Sequence, residues 1–306
     1  MSEKNIQTDD VRISVVIPVY NSGRTLEACL RSLLNQSFRP FEILIVDSGS
    51  RDRTRQIAEE LAKESSIIRF YDVGHEKRNI SYARNYGAHF SRGNYLSFID
   101  SDWYLDSDAF ERLARLAADG ALCVVASADR KRLDRGISYI ARSRQVLWAT
   151  SAAQSYLKYV LHKPGSPVGN PYFIQRNVFL WLGGFDTKLP ALEDADLYVR
   201  CALSGIHPKG AVNLGLHDQT INLRTIVRRR IRSENATLAF ERKWGSTTWG
   251  RKSKTELKKR QNIVLRWFKG IRWMSSKEPM LFPGALLISI VDGMSLIIAH
   301  VIFSVP

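Results

Sequence analysis

Two aspartates, Asp100 and Asp102, directly follow an apolar run from Tyr95 to Ile99. The run is typical of a buried strand, and residues i and i+2 of an extended segment point the same way. Two carboxylates that face one direction at a strand end are suited to hold a hard divalent cation. The alternative is that an acid here caps the helix predicted from about Ser107, a role that suits Asp106 better.

Three further acids, Glu193, Asp194 and Asp196, lie within four residues at the start of a predicted helix that includes Ala195 to Leu203. A carboxylate held close to a hydroxyl group can act as a general base. Acids in the first turn of a helix also stabilise it against its own dipole, and we expect that role for Asp196. Glu193 and Asp194 are therefore the candidates for a general base.

The elements that must position these acids alternate between strand and helix. Apolar β-branched runs predict strands, and apolar residues three and four apart predict helices. The predicted strands are Ile13 to Val19, Glu42 to Val46, Ile67 to Tyr71 and Asn94 to Ile99, with helices at about Leu26 to Leu34, Thr54 to Lys63 and Ser81 to Phe90. This order predicts a doubly wound α/β sheet, in which ligands bind outside the carboxyl ends of the strands.

The second half of the chain has a less regular pattern. Its predicted elements are a strand from Ala121 to Ala126, a helix from Gln154 to Leu161, a Gly/Pro loop from Pro164 to Pro171, and an apolar run from Val178 to Leu182 before Gly183-Gly184-Phe185-Asp186. Internal repeats and low-complexity tracts are absent from the sequence. The second half is therefore predicted to be folded, but its sequence pattern indicates strands and helices less clearly than that of the first half.

The composition is that of a globular protein whose positive charge is concentrated in one region. Of the 306 residues, 44% are hydrophobic and 25% charged, which excludes a disordered chain. The net charge is +15, and the stretch from Arg224 to Lys277 holds 17 basic and 3 acidic residues. Such a block implies an anionic partner: nucleic acid, a phosphorylated ligand or an anionic membrane. The three cysteines have no CxxC spacing and are predicted to be buried thiols, which fits a reducing compartment.

The sequence from Leu281 to Val305 contains only two ionisable residues, Asp292 and His300. About 20 apolar residues span a bilayer core, so this tail predicts a spanning helix, a re-entrant hairpin or a helix in the interface. Asp292 is costly in lipid unless it is paired, which favours a partner helix in a homo-oligomer or shallow insertion. The polar N-terminus has no signal-peptide pattern. Tryptophans among the basic residues, together with the tail, favour an anionic membrane surface over nucleic acid, with the remaining domain on the cytoplasmic side.

With these pieces in order, the chain resembles a family 2 glycosyltransferase of the GT-A type. The matching stretches are SVVIPVYNSGRTLEACLRSLLNQSF, EILIVDSGSRDRT, ARNYGAHFSRGNYLSFIDSD and GGFDTKLPALEDADLYVRCALSG. They lie between Ser14 and Gly205. The resemblance implies a Rossmann-like, nucleotide-binding sheet and an inverting, metal-dependent transfer of a sugar from a nucleotide donor.

The resemblance also implies roles for individual residues. The residues implied in nucleotide binding are Pro18, Tyr20, Asn21 and Asp47 at the nucleobase, Arg78 or Arg84 on the nucleotide, and Asp100 and Ser101. Asp100 and Asp102 correspond to the Asp-x-Asp element that binds Mn²⁺ or Mg²⁺ on the diphosphate, and His217 is placed to complete that metal site. Of the Glu193-Asp194 pair, Asp194 is favoured as the catalytic base.

Four regions are expected along the chain. They are 1–125, the nucleotide-sugar-binding half of the GT-A domain; 126–222, the acceptor-binding and catalytic half; 223–278, a basic helical juxtamembrane region; and 279–306, the apolar membrane segment. Processive members of the family carry Gln-x-x-Arg-Trp, whereas this chain has four residues between Gln261 and Arg266. We therefore expect transfer of a single sugar. The basic block and the tail favour a lipid-linked acceptor, with a soluble glycan or protein acceptor and a non-catalytic nucleotide-binding scaffold as the alternatives.

Overall fold

The β-branched run Ile13–Val19 forms the central strand β1, and each of its seven residues is buried. This burial on both faces is the pattern of a strand inside a parallel sheet covered by helices. The computed structural model describes residues 8–77, 79–128 and 172–217, with 232, 236, 239, 240 and 242–244 beyond them.

Strands and helices alternate from β1 as far as β4 and continue less regularly after it. The strands are β1 Ile13–Val19, β2 Glu42–Asp47, β3 Ile68–Asp72, β4 Tyr95–Phe98, β5 Trp103–Leu105, β6 Cys123–Ala128, β7 Tyr172–Gln175 and β8 Lys209–His217. The helices are α1 Leu26–Leu34, α2 Thr54–Glu64, α3 Ile80–Phe90, α4 Ala109–Ala118, α5 Arg176–Trp181 and α6 Glu193–Leu203. Short 3₁₀ turns lie at Thr8–Asp10 and His75–Lys77.

The described strands form one mixed sheet in the order β3-β2-β1-β4-β7-β6-β8-β5. Strands β1 to β4 run parallel, β7 runs antiparallel to β4 and β6, and β5 runs antiparallel to β8. The parallel half confirms the predicted α/β sheet, while the antiparallel β7 makes the whole sheet mixed rather than purely doubly wound. The carboxyl ends of β1, β2 and β4 therefore meet at one edge.

Apolar residues pack against both faces of the sheet. One cluster joins β1 and β2 to α1, α2 and α4, and the other joins Val16 and Phe98 to α5 and α6. Pro18 lies within a central strand, which is tolerated because β4 pairs with β1 only as far as Val16. The missing N–H group of Pro18 therefore costs no hydrogen bond to β4. Pro18 lies just past the point where β1 and β4 stop pairing, next to the polar edge of the sheet.

Three strands were not predicted from the sequence. β5 has three residues, β7 has four, and β8 contains Gly210 and Gly215 among its nine residues. Each gains its partners from segments distant along the chain, so the local pattern carries little signal. Asp108 occupies the N-cap position of α4 and its side chain makes no cap hydrogen bond, whereas the Asp106 carboxylate lies 3.5 Å from Arg112.

The chain divides into two compact units. The first comprises 1–132, 167–188 and 193–218 and holds the whole sheet; the second comprises 133–166, 189–192 and 219–306. Most of the second unit lies outside the described residues, as do the predicted helix 154–161, the Gly/Pro loop, nearly all of the basic region and the apolar tail. Within the part of the chain that is described, no helix has the length and apolarity needed to cross a bilayer.

Candidate active site

The ends of β1 and β2 form the first part of the polar edge. Asp47, the last residue of β2, is fully buried, and its Oδ1 accepts hydrogen bonds from the Ser50 amide at 3.0 Å and the Ser50 hydroxyl at 2.6 Å. Burial raises the pKa of Asp47, and the two hydrogen bonds from Ser50 oppose that effect. The family resemblance implies a nucleobase contact for Asp47; in this structure its carboxylate is covered by protein and held by Ser50 at the end of β2.

Tyr20 and Asn21 continue the same edge. The Tyr20 ring lies 5.9 Å from the His75 ring, centroid to centroid. Asn21 adopts a left-handed φ of 51°, and its backbone amide and side-chain oxygen are held by Ser50 and Arg51, each at 2.8 Å. These bonds fix the chain as it leaves β1, beside Asp47. His75 was not singled out from the sequence, although its place after the third strand and Gly74 is a signal that could have found it.

The Asp-x-Asp segment follows β4, as expected. Asp100 and Asp102 are partly buried, and the Ser101 hydroxyl between them donates to the Ser22 hydroxyl at 2.8 Å. Burial, together with the nearby charges of Asp102 and Asp100, raises the pKa of the Cys29 thiol. Both carboxylates thus act on the same buried sulfur atom, which indicates that they lie close together.

Arg84 of α3 joins the strand end to the second acidic cluster. Its guanidinium donates through Nη2 to Asp100 Oδ1 at 2.8 Å and through Nη1 to Glu193 Oε1 at 2.7 Å. The arginine side chain is only 4% exposed. Burial alone would lower the pKa of Arg84, but Asp100 and Glu193 raise it, so the guanidinium stays charged. The two acidic segments, 93 positions apart in sequence, therefore form one site.

Asp194 lies beside this ion pair and has a different environment from Glu193. Burial and the charge of Glu193 raise the pKa of Asp194 to about 6, with the Ala195 amide and Arg84 acting in the opposite direction. Asp194 Oδ1 accepts a hydrogen bond from the Ala195 amide at 2.8 Å. A carboxylate with a pKa near 6 is ionised at neutral pH and is a stronger base than an ordinary aspartate. Among the described residues, the second non-glycine residue with a left-handed φ is Leu192, immediately before this pair.

Asp196 lies in the first turn of α6, as expected for an acid that stabilises the helix. It is also fully buried and pairs with Arg200, one turn later in α6, at 2.8 Å. Arg200 donates in addition to the Leu182 carbonyl oxygen at 2.6 Å, which ties α6 to the end of α5. This second bond could not be predicted from the sequence, because Leu182 lies 18 residues from Arg200.

Phe185 is a further site residue that the sequence reasoning did not single out. Arg84 lies over its ring, 5.4 Å from the centroid. The Asn85 side chain exchanges two hydrogen bonds of 2.8 Å with the backbone amide and carbonyl of Phe185. Gly184 has φ +71°, and a Cβ there would lie 2.7 Å from Asn85 Oδ1. An aromatic residue directly after a Gly-Gly turn was the available signal.

The side chains of the two remaining predicted residues, Arg78 and His217, lie outside what the structure describes. Arg78 lies outside the described residues. His217 ends β8, and its backbone pairs with Trp103, the residue after Asp102. The structure therefore brings the backbone of β8 next to the Asp-x-Asp segment, and a metal-binding role for His217 stays a prediction.

The acidic edge suits a hard divalent cation that arrives with a diphosphate. Among the described residues no group of three or more His, Cys, Asp or Glu side chains is arranged to hold a metal ion. Asp100 and Asp102 supply carboxylate oxygens, which Mg²⁺ and Mn²⁺ prefer. Mg²⁺ is commonly held by one or two carboxylates, with phosphate oxygens and waters completing its shell. The two aspartates fit that donor set.

The mixed sheet with its acidic carboxyl-terminal edge is that of a GT-A fold, and sequence comparison identifies the family. The family model described as "Glycosyl transferase family 2" matches residues 14–174. Because that match covers more than half of the chain, the protein belongs to glycosyl transferase family 2. The predicted family is confirmed.

Individual relatives agree with this assignment. EpsJ of Bacillus subtilis, an uncharacterized glycosyltransferase, is 34% identical over 128 residues, which is 42% of this chain and 37% of EpsJ. A Campylobacter jejuni protein, GalNAc(5)-diNAcBac-PP-undecaprenol beta-1,3-glucosyltransferase, is 29% identical over 109 residues, 36% of this chain and 35% of that protein. The matched part of the chain thus spans little more than a third of each relative.

A solved structure has a similar fold. The mannosyltransferase PcManGT from Pyrobaculum calidifontis, in complex with GDP-Man and Mn²⁺, superposes with a TM-score of 0.60. The superposition covers 97% of this chain and 88% of PcManGT at 16% sequence identity. The likeness confirms the predicted GT-A fold and by itself says nothing about the reaction.

Proposed function

We propose that this protein is a metal-dependent, inverting glycosyltransferase that moves one sugar from a UDP- or GDP-sugar to a lipid-linked acceptor of the polyprenyl-phosphate type. The observation that carries the proposal is the Arg84 bridge between Asp100 and Glu193. It unites the acid expected to serve the donor and the acidic pair expected to serve the acceptor. Membership of family 2 supports the reaction class.

In this reaction Asp194 accepts the proton of the acceptor hydroxyl as its oxygen attacks the anomeric carbon of the sugar. The bond from that carbon to the diphosphate oxygen breaks, and its electron pair leaves with the nucleoside diphosphate. Attack from the face opposite the leaving group inverts the anomeric configuration. Asp194 suits this role because its pKa of about 6 leaves it ionised but basic at neutral pH.

The donor is held at the carboxyl ends of β1, β2 and β4. Asp47 accepts hydrogen bonds from the nucleobase, with Pro18, Tyr20 and Asn21 forming its wall, and Ser101 lies between the two acids near the ribose and diphosphate. The negative charge of the nucleoside diphosphate leaving group must be neutralised, and a bound Mn²⁺ or Mg²⁺ would supply the positive charge. Asp100 and Asp102 would hold that ion, with His217 as a further ligand. The Mn²⁺ and GDP-Man in PcManGT support this choice of cofactor and donor class.

The acceptor class rests on the chemistry of the C-terminal sequence. The basic stretch from Arg224 to Lys277 and the apolar run from Leu281 to Val305 suit an anionic membrane surface, with the catalytic domain at the cytoplasmic face. The name of the Campylobacter jejuni relative specifies an undecaprenol-diphosphate-linked glycan as its substrate, which supports a lipid-linked acceptor here. Asp292 would be paired through a homo-oligomer.

A turnover assay with the full chain tests the proposal. UDP- and GDP-sugars are supplied in turn with Mn²⁺ or Mg²⁺, with and without a polyprenyl-diphosphate-linked sugar, and release of the nucleoside diphosphate is followed. We expect turnover with one donor class, and a loss of about 100-fold or more in Asp194→Asn, because a general base contributes about that factor.

Asp108→Asn is the matched control, since Asp108 is an exposed acid that starts α4 and pairs with Arg112. It is expected to retain wild-type turnover. Equal activity in wild type and Asp194→Asn would contradict the choice of base. Nucleotide binding without turnover in the wild type, on every donor, would instead support a non-catalytic scaffold, and turnover only with a soluble glycan would contradict the lipid-linked acceptor.

A further inference from the structure

Arg84 occupies a position that a nucleotide-binding arginine would not be expected to have. Arginines that bind phosphate present a planar fork of donors to their ligand. Here both terminal nitrogens of the guanidinium donate to protein carboxylates, at 2.7 and 2.8 Å. The side chain is 4% exposed, so the fork faces the protein interior.

The arginine is itself fixed by its surroundings. Asn79 caps α3 by accepting a hydrogen bond from the Tyr82 amide at 3.1 Å, which sets the start of the helix one turn before Arg84. The next residue, Asn85, holds the backbone of Phe185 through two hydrogen bonds, and the Phe185 ring lies under the guanidinium. The helix therefore presents Arg84 in one orientation, between two loops that come from distant parts of the chain.

The two carboxylates on Arg84 belong to opposite sides of the proposed reaction. Asp100 follows β4 in the segment expected to bind the donor diphosphate, and Glu193 is the first residue of α6. Asp194 is the next residue, so the position of its carboxylate depends on how Glu193 is anchored. A rigid anchor matters because a displacement of about 1 Å in a reacting group can cost about 100-fold in rate.

We infer that Arg84 is a positioning residue, which anchors Glu193 and Asp100 through one buried guanidinium and so sets the distance between the catalytic base Asp194 and the donor. Glu193 then serves as the anchor of the base and not as a second base. The inference rests on the proposed function, since it assigns a part in that reaction to a residue that touches neither substrate.

A substitution of Arg84 that keeps its positive charge distinguishes a positioning role from a role in nucleotide binding. Arg84→Lys keeps the positive charge but replaces the rigid two-pronged guanidinium with one ammonium nitrogen on a flexible chain, so the two carboxylates are no longer held at a fixed separation. We expect kcat to fall roughly 10- to 100-fold while KM for the donor and the affinity for the nucleoside diphosphate change by less than about threefold. Glu193→Gln breaks the same anchor from its other end and is expected to give the same pattern.

A pH profile gives a second readout that a purely structural arginine would not move. Among the described residues, the charged groups that act on the pKa of Asp194 include Glu193 of its own helix and Arg84 of α3. Arg84→Gln removes the positive one, so the acidic limb of kcat should move upward by about one pH unit, whereas Arg84→Lys should leave the limb in place.

Arg69→Lys is the matched control. Arg69 pairs at 2.6 Å with Glu42, a fully buried carboxylate at the amino end of β2, which is the edge of the sheet opposite the site. It should lower thermal stability without changing kcat or the pH profile. A wild-type protein without turnover on any donor would contradict the proposed function. An active wild type whose Arg84→Lys variant keeps kcat, or loses nucleotide affinity instead, would overturn the positioning role alone.

Discussion

Glu193 and Asp194 are neighbours in sequence, yet their surroundings give the two carboxylates different properties. Glu193 is paired with a buried guanidinium at 2.7 Å, which satisfies its charge. For Asp194, burial and the negative charge of Glu193 raise the pKa by more than the Ala195 amide and Arg84 lower it. Environments that separate adjacent acids in this way commonly mark which one exchanges protons. The favoured base from the sequence is thus given a physical reason that the sequence alone does not contain.

The raised pKa of Asp194 predicts that the proposed base destabilises the protein at neutral pH. Its folded pKa is about 6, above the ordinary value of 3.8, so between those values the folded state binds more protons than the unfolded state. Stability therefore falls as pH rises through that interval, and above it the buried charge costs on the order of 2 kcal/mol. Asp194→Asn should remove this cost, because the amide oxygen can still accept from the Ala195 amide.

Denaturant unfolding at several pH values measures the effect. Asp194→Asn should be more stable than wild type at pH 7.5, and the difference should disappear at pH values below the ordinary carboxyl pKa. Glu193→Gln is the opposed control, since it removes the partner of a buried arginine and should be destabilising at pH 7.5. An Asp194→Asn protein that is less stable than wild type at pH 7.5 would contradict a buried, charged base.

Several of the site residues predicted from the sequence lie at strand ends. Asp47 and Asp100 could be identified because each directly follows an apolar strand, and both lie at the carboxyl-terminal edge as expected. The contacts that define the roles of Arg84 and Phe185 could not be predicted by the same reasoning. Their function depends on contacts across about 100 residues of chain, and no local pattern records which partner a buried arginine will meet.

At the level of the elements, α3 is held against β1 by a close contact that needs glycine. A Cβ on Gly87 would lie 2.4 Å from Cγ1 of Val16 and 3.1 Å from its Cγ2. Val16 is fully buried and β-branched, so its side chain has little freedom to move aside. The same helix carries Arg84, which means that the distance between α3 and the sheet also sets the depth of the guanidinium.

Gly87→Ala should therefore destabilise the protein by about 1–3 kcal/mol, although alanine is the better helix former. Val16→Ala removes the obstructing methyl groups, so the double variant should be more stable than the sum of the two single effects, by about 1 kcal/mol or more. Chemical denaturation of the four proteins in this cycle measures the coupling. Additive effects, or a Gly87→Ala protein as stable as wild type, would show that the contact relaxes without cost.

The parallel half of the fold could be predicted because its strands and helices repeat in a fixed order. The boundaries of β1 and α1 agree with the expectation, and those of α2 and α3 differ by one residue. The antiparallel half could not, because β5, β7 and β8 are short or glycine-containing and pair with segments far away in sequence. The periodicity of apolar residues predicts which face of a strand or helix is buried. The position of an antiparallel strand in the sheet depends instead on the strands with which it pairs.

At the scale of the whole molecule, the described sheet and the C-terminal sequence differ in net charge. Nearly all of the +15 net charge comes from the stretch between Arg224 and Lys277, and the apolar run from Leu281 follows it directly. A basic segment adjoining an apolar one supplies two independent contributions to membrane binding, one screened by salt and one not. The two contributions can be measured separately.

Vesicle flotation of the full chain and of a variant lacking residues 279–306 tests this arrangement. The full chain should float with phosphatidylcholine vesicles that contain about 30% phosphatidylglycerol, and should stay bound at about 0.5 M NaCl, since salt does not weaken apolar insertion. The truncated variant should bind the same vesicles only at low salt, because the basic stretch alone remains. It should also keep its affinity for the nucleoside diphosphate, since the described sheet is intact. A full chain that remains with the unbound protein at low salt would exclude the membrane surface as a partner and leave a soluble acceptor as the proposal.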